Sequence, residues 1–365
     1  MTMSFIINKL GTFNPARVKF ERIKPLSLLA MVVLAGSLSA CGGGDETGGS
    51  TPPGPATYQT AVTSVPSPSY TVEDSATAVN LLNILRQEVG AGLVAQNTSL
   101  DQAASAHASF LIDNALVADD SYLTTEVQGI LGGHYEDPAL VGYTGQGPLD
   151  RTVAAGYTGT VTEIISFGAL TGTECLASLE DSVYHLVQLM TPFVDIGVAF
   201  NPGVGSGSVC AIELGVPSGT LGQLPANGNT VGYPFAGQTD VQPVYYNQAE
   251  APNPAPDLLM AGHPVVVSLY TQSASTLTGS DIVLHDFSMV SESGASVSAR
   301  VLANSGLASD GPALTTDDVI AGAGYVVLLP EVTLDPLTLY YVSFAATVKG
   351  TEVNKTWSFT TGIVN

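Results

Sequence analysis

Ile196-Gly197-Val198-Ala199-Phe200 and Val209-Cys210-Ala211-Ile212-Glu213-Leu214, divided by the Gly-rich stretch Pro202 to Ser208, are the two runs on which the reading of this chain turns. Short apolar, β-rich segments on either side of a Gly-containing break read as the arms of a hairpin. The surrounding sequence has a different period. Ala78, Leu81, Leu82, Leu85 and Val89 recur at helical spacing behind an Asp74-Ser75 start signal. A second helix is predicted to open with Ser99 and Gln102 in capping-box spacing and to carry Leu100, Ala103, His107 and Phe110 or Leu111 on one stripe. A third runs from about Leu176 through Leu179, Val183, Leu186 and Val187 to Met190. Three amphipathic helices need an apolar surface to cover, and the hairpin supplies it. Residues 71–216 are therefore expected to form a mixed α/β layered domain.

Downstream the pattern changes to β throughout. Val265 to Leu269, Ile282 to Phe287, Val297 to Leu302, Tyr325 to Leu329, Tyr340 to Val348 and Val353 to Thr361 are short runs separated by Gly, Pro, Asp and Ser clusters. Tyr340, Val342, Phe344, Ala346 and Val348 alternate, so one face of that strand is expected to be buried. Lys349-Gly350-Thr351 turns it into the last strand, which carries Trp357 and Phe359. Runs of this number and spacing predict an all-β immunoglobulin-like sandwich over residues 231–365. The segment Asn354 to Gly362 resembles the closing strand of bacterial Ig-like modules on surface proteins. Residues 217–230, with Val216-Pro217-Ser218-Gly219 and Pro225-Ala226-Asn227-Gly228-Asn229, read as the linker between the two domains.

The other end of the chain carries an export signal. Lys9, Arg17, Lys19, Arg22 and Lys24 precede an apolar run from Leu26 to Ala40 that ends in Leu38-Ser39-Ala40-Cys41. That run is about 15 residues, short of the roughly 20 that span a bilayer. Its end resembles the lipobox of bacterial lipoproteins, which implies cleavage of residues 1–40 and a diacylglycerol on Cys41. Gly42 to Pro68 is nearly all Gly, Ser, Thr, Pro and acid, too polar to bury a core, and residues 41–70 are read as a disordered tether. By the sorting habit of such lipoproteins, Gly42 after the lipidated Cys favours the outer membrane.

Removal of residues 1–40 leaves five of ten basic side chains and 31 of 32 acidic ones, so the mature chain stands near −26. A surface of that sign excludes nucleic acid and anionic lipid headgroups as partners. With Cys41 lipidated, Cys175 and Cys210 remain in an oxidising compartment, and a disulfide between them is expected. Both lie upstream of residue 216, so its reduction is expected to lower the melting of the first domain and spare the second.

Several chemistries lack their motifs. There is no Gly-x-Ser-x-Gly elbow, no His-Glu-x-x-His helix, no P-loop and no Gly-x-Gly-x-x-Gly. What remains in the first domain is His107, His134, Glu136, Glu163, Asp181 and His185. Leu82 to Arg86, Asn97 to Leu100 and Ala103 to Ala108 follow the order of the opening helices in bacterial CAP domains, the superfamily of cysteine-rich secretory proteins, antigen 5 and pathogenesis-related proteins. Gly133-His134-Tyr135-Glu136-Asp137-Pro138, Arg151, Ala155-Gly156-Tyr157, Glu163, Tyr184-His185 and Asp195 to Val198 continue it, so the chain resembles that family from about Ala76 to Gly215. The resemblance implies an α-β-α sandwich with a central cleft of two His and one or two Glu, able in some members to bind a divalent metal. By motif position His134 and His185 correspond to the two His, and Glu163 to the Glu of a Gly-Glu-Asn segment. Here Thr162-Glu163-Ile164 replaces that segment, and the Trp-x-x-Glu that would supply a second Glu is missing.

Two neutral imidazoles and a carboxylate suit zinc, so His134 and His185 are the expected metal ligands. Asp181, four residues before His185, is placed to orient its ring on a continuous helix. Glu136 either lines the cleft or caps the turn at Asp137-Pro138. His107, on an apolar stripe, reads as a hydrogen-bonded core histidine. Three functions follow: a non-catalytic envelope lipoprotein whose cleft binds a small lipid, peptide or glycan; a metal-dependent hydrolase using the same cleft; or a structural, adhesin-like surface protein. The absent nucleophile and second Glu favour binding.

Overall fold

The computed structural model describes residues 57–203 and 207–364. The expected signal sequence at residues 1–40, the expected lipidation at Cys41 and the expected tether up to residue 56 lie outside them. The described residues belong to one compact stretch, Pro53–Asn365. None of their helices is long and apolar enough to cross a membrane.

Among the described residues six α-helices, α1 (Glu73–Val89), α2 (Thr98–Asp113), α3 (Asp120–Thr124), α4 (Pro148–Ala154), α5 (Gly172–Glu180) and α6 (Tyr184–Met190), precede or flank a sheet. Its strands are β1 (Gly159–Phe167), β2 (Asp195–Asn201) and β3 (Val209–Pro217), with β3 central and antiparallel to both neighbours. Ala95–Gln96 adds a short parallel edge beside β2. Alternation along the strands divides the core. Ile164, Val198, Cys210, Ile212 and Leu214 meet α1 and α5 on one face, while Ile165, Val209 and Ala211 meet α2 on the other. The layer is mixed α/β with helices on both sides. At Gly197 a Cβ would stand 2.1 Å from the Leu100 carbonyl carbon, so only glycine lets α2 lie directly on β2.

The helix ends differ from the sequence expectation. Asp74 and Ser75 do not cap α1: Asp74 accepts from the Gly172 amide at the start of α5 at 2.8 Å and Ser75 from the Phe200 amide at 3.0 Å, tying α1 to α5 and β2. The N-cap of α2 is Asn97, which accepts from the Ser99 amide, and Ser99 lies inside the helix. The expected helix from Leu176 to Met190 is two helices broken at residues 181–183. The break has a cause. Glu250 places its carboxylate at the start of α6, accepting from the amides of Val183 at 2.8 Å and Tyr184 at 2.7 Å. Arg86, fully buried, donates to five carbonyl oxygens, among them Leu189 and Thr191 at the C-terminal end of α6, and burial lowers its pKa to about 10. Cys175 and Cys210 form the expected disulfide, joining α5 to β3.

Among the described residues Glu126–Val127 pairs with Ile130–Leu131 in a small hairpin, and most of the remaining strands form two larger sheets. One has the order β8-β7-β9-β5-β4, from Leu314–Thr316, Ala299–Ala303, Tyr325–Pro330, Val265–Ser268 and Val231–Tyr233. The other pairs β6 (Ile282–Ser291), β10 (Leu339–Val348) and β11 (Thr351–Thr360) antiparallel, with Ala308–Ser309 at its edge. Val265, Val267 and Leu328 face Phe344, Trp357 and Phe359 across the core between them. The outer face of the first sheet is buried too: Tyr233, Val266, Val327 and Leu329 pack with Leu85, Val89, Leu186 and Val187 of α1 and α6. One apolar core therefore crosses between the α/β layer and the β-sheets.

Both segments read as connections carry pairing. Gln59–Thr60, within the expected tether, pairs in parallel with Gln223–Leu224, within the expected linker. Gln223 is fully buried, donating to the carbonyls of Leu93 and Phe193 and accepting from the Val62 amide.

Candidate functional site

His134 ends a single 3-10 turn, Gly132–His134, and its Nδ1 lies 2.9 Å from Oε1 of Glu163 on β1. Arg151 of α4 approaches the same carboxylate through Nη2, at 2.7 and 2.8 Å from its two oxygens, and donates through Nη1 to the His134 carbonyl at 3.0 Å. One guanidinium thus fixes both the acid and the backbone carrying the imidazole. Burial alone would raise the Glu163 carboxyl, but Arg151, His107 and His134 together outweigh it and hold it well below the usual carboxylate range. The His134 side chain keeps about a quarter of its surface open, whereas Glu163 and Arg151 have none.

Two further acids lie under this group. Glu136 is fully buried and neither lines a cleft nor caps Asp137-Pro138: it accepts from the amides of Thr144 and Gly145 and meets His107 Nδ1 at 3.0 Å. Burial pushes its carboxyl up, but those contacts and Arg151 bring it below the ordinary value. His107 Nε2 meets the Gly133 carbonyl at 2.9 Å, so this histidine is hydrogen-bonded in the core. Glu213 stands opposite Glu163 in the β1–β3 register and makes no hydrogen bond through either carboxylate oxygen. Burial and then the neighbouring Glu163 push its carboxyl well above the usual range.

His185 belongs to a different place. It lines a pocket of about 300 Å³ with Ser182, Asp181, Tyr245, Tyr246 and Glu250. Its Nδ1 lies 3.1 Å from Ser182 Oγ and 3.2 Å from Glu250 Oε1. The expectation that Asp181 orients this ring fails because the helix breaks between them: Asp181 is the C-cap of α5, and its carboxylate approaches His263 Nδ1 at 3.3 Å. Nor is Ser182-His185-Glu250 a nucleophilic triad. Both partners meet the same ring nitrogen, whereas a relay needs the base and the orienting acid on opposite nitrogens.

The expected zinc site does not fit these residues. Both oxygens of Glu163 are engaged by a guanidinium, and among the described residues no hydrogen bond or ion pair links His185 to the His134–Glu163 pair. Nor do three His, Cys, Asp or Glu side chains group there as a metal ion would require. A cation at Glu163 would have to displace Arg151.

Sequence reasoning quoted Arg151 without giving it a role and missed Glu213, Glu250 and His263. Glu213 had a visible signal, a carboxylate inside the apolar run Val209 to Leu214. Glu250 had none, since the helix amides that it accepts from lie 65 to 67 residues upstream.

These features define a mixed α/β protein with a buried ionic group beneath a partly open histidine, and two β-sheets packed against its helices. No family model matches the chain, and no curated relative does. Among solved structures, an outer surface protein from Borrelia burgdorferi is similar over 41% of this chain and 97% of its own, with 17% sequence identity and a TM-score of 0.32. At that identity and score the likeness carries no functional argument.

Proposed function

We propose that this chain is an exported envelope lipoprotein, anchored through Cys41, whose CAP-type α/β layer binds a small ligand beside His134 without transforming it, and whose Ig-like sheets serve as its support. The observation that carries the binding reading is the clamp on Glu163. Arg151 holds both carboxylate oxygens, so the acid orients His134 rather than activating water or a metal. Catalysis needs a nucleophile or a metal-bound water and an oxyanion donor, each worth about 100-fold or more. The group supplies a fixed imidazole and no such partner. The lipid anchor rests on Leu38-Ser39-Ala40-Cys41, and the outer membrane on Gly42.

The test has two arms. Detergent partitioning of wild type and Cys41→Ala should place the first in the detergent phase and the second in water; equal partitioning sinks the anchor. Native mass spectrometry of protein extracted from the envelope should show a bound small molecule that His134→Ala loses. A steady peptide cleavage that requires zinc and disappears in His134→Ala would install the hydrolase reading instead.

A further inference from the structure

A cavity of about 510 Å³, larger than the pocket beside His185, opens where the N-terminal segment, the end of α6 and the β-sheets meet. Tyr58, Tyr270, Tyr325, Thr278, Asp281 and Lys349 are among the residues that line it. The two deeper tyrosines use their hydroxyls on the frame: Tyr325 donates to Thr191 Oγ1 at 3.1 Å, and Tyr270 accepts from the Gly324 amide at 3.2 Å. Tyr270, half-buried, turns ring surface to the cavity, and Tyr325, fully buried, backs that ring. Their rings lie 5.3 Å apart, and Tyr270 is locked against two glycines, where a Cβ at Gly322 or Gly324 would come within 2.5 or 2.6 Å of it. Tyr58 is held beside them by the pairing of Gln59 with Gln223 and by Gln272, which donates to the Gln59 carbonyl at 2.7 Å. The walls are preformed.

Lys349 is the second observation. Among the described residues Arg86, Arg151, Arg300 and Lys355 all have hydrogen-bonded acceptors, and Lys349 has none for its ammonium. It also sits in the left-handed region, φ 47°, in the two-residue turn between β10 and β11, followed by Gly350 at φ 78°. Such turns favour Asn, Asp or Gly at that position, so a lysine there works against the fold's local preference. Among the described residues the chain keeps its one unengaged cation, in a body with a large acidic excess, at the mouth of a tyrosine-lined cavity.

We infer that this cavity is a binding site for a neutral saccharide, with the rings of Tyr58 and Tyr270 stacking on sugar C–H faces and Asp281 and Lys349 taking adjacent hydroxyls as acceptor and donor. Amphipathic rings beside a few fixed polar groups are the lining that a hydroxylated, partly apolar ligand requires. Polyanions are disfavoured by the net charge, which repels them before contact. The site is separate from His134 and does not depend on the function proposed there.

The full-length protein in detergent micelles should be screened against an array of neutral, uronate and sulfated tetrasaccharides, and the strongest binder titrated calorimetrically. The expected result is a neutral tetrasaccharide whose affinity falls about tenfold in Lys349→Asn and in Tyr58→Ala, and is unchanged in His134→Ala. Lys349→Asn suits the turn and should keep or raise the melting temperature, so loss of binding there cannot be misfolding. No saccharide binding, or affinity undiminished in Lys349→Asn, or preference for the sulfated or uronate members, would overturn the proposal.

Discussion

At the scale of single residues, the acids of this chain are tuned in opposite directions by what lies beside them. Glu163, held low against burial by Arg151, His107 and His134 together, stabilises the fold above its unfolded value near 4.5, and that contribution is lost as pH falls below it. Removing the cation while leaving the acid buried should be costly: Arg151→Met is expected to destabilise by about 3–5 kcal/mol at pH 7, measured by denaturant titration, and Arg151→Met with Glu163→Gln by less. Equal losses in the single and double variants would show that the ion pair is not what holds the site. Glu180 runs the other way. Burial raises it to about 7, only partly offset by the hydrogen bond from Tyr233 at 3.1 Å. A raised carboxyl favours the folded state fully below about 4.5 and loses that advantage as pH rises through 7. Glu180→Gln keeps the acceptor and removes the charge, so it should melt a few degrees higher than wild type at pH 8 and alike at pH 4, a gain on the order of 1–3 kcal/mol. A flat difference across that range would deny the shift. Of this ionic group, residue types and order were legible in Gly133 to Pro138 and Glu163. The clamp was not, because α4 brings Arg151 to Glu163 through tertiary packing.

At the scale of elements, strand positions were legible and helix ends less so, for a common reason. Strand character is written in local runs, and Tyr340 to Val348 shows the expected alternation, with Tyr340, Val342, Phe344, Ala346 and Val348 buried. Tyr325 to Pro330 and Val265 to Ser268 are buried at every position, and their continuous apolar character marks a sheet covered on both faces. That signal was present in the sequence and was read only as strand. The break between α5 and α6 was illegible because its capping acid comes from far along the chain. Glu250 sits below the ordinary carboxylate range: burial raises it, and His185, Tyr245 and the Val183 amide together outweigh burial. Glu250→Gln should therefore cost about 1–2 kcal/mol at pH 7, since an anion at a helix N-terminus is lost while one oxygen can still accept. Amide exchange would then quicken at Val183, Tyr184 and His185 ahead of the rest of α6. Unchanged protection at those three amides would mean that Glu250 does not hold the break.

At the scale of the whole molecule, the shared core changes what the disulfide is expected to do. Read from sequence, Cys175 and Cys210 fall in a first domain that should melt apart from the β-sheets. The structure places Leu85, Val89, Leu186 and Val187 of the helices in one apolar cluster with Val266, Leu302, Val327 and Leu329 of the sheet. Separating the two would expose that cluster on both sides, and the transfer cost is about 1.5–3 kcal/mol for each large side chain left bare. Gln272, donating to the Gln59 carbonyl, and Glu250 cross the same seam through hydrogen bonds, so the two parts are expected to unfold as one. Calorimetry should show a single endotherm. Opening the 35-residue loop between the cysteines by reduction frees the unfolded chain and should lower that endotherm by the equivalent of roughly 3–4 kcal/mol. Leu186→Ala, a cavity in the seam on a different helix from either cysteine, should lower the same endotherm by roughly 2–5 kcal/mol without splitting it. Two resolved endotherms, with only the earlier one moved by reduction, would restore the independent domains that the composition near Val216 first implied.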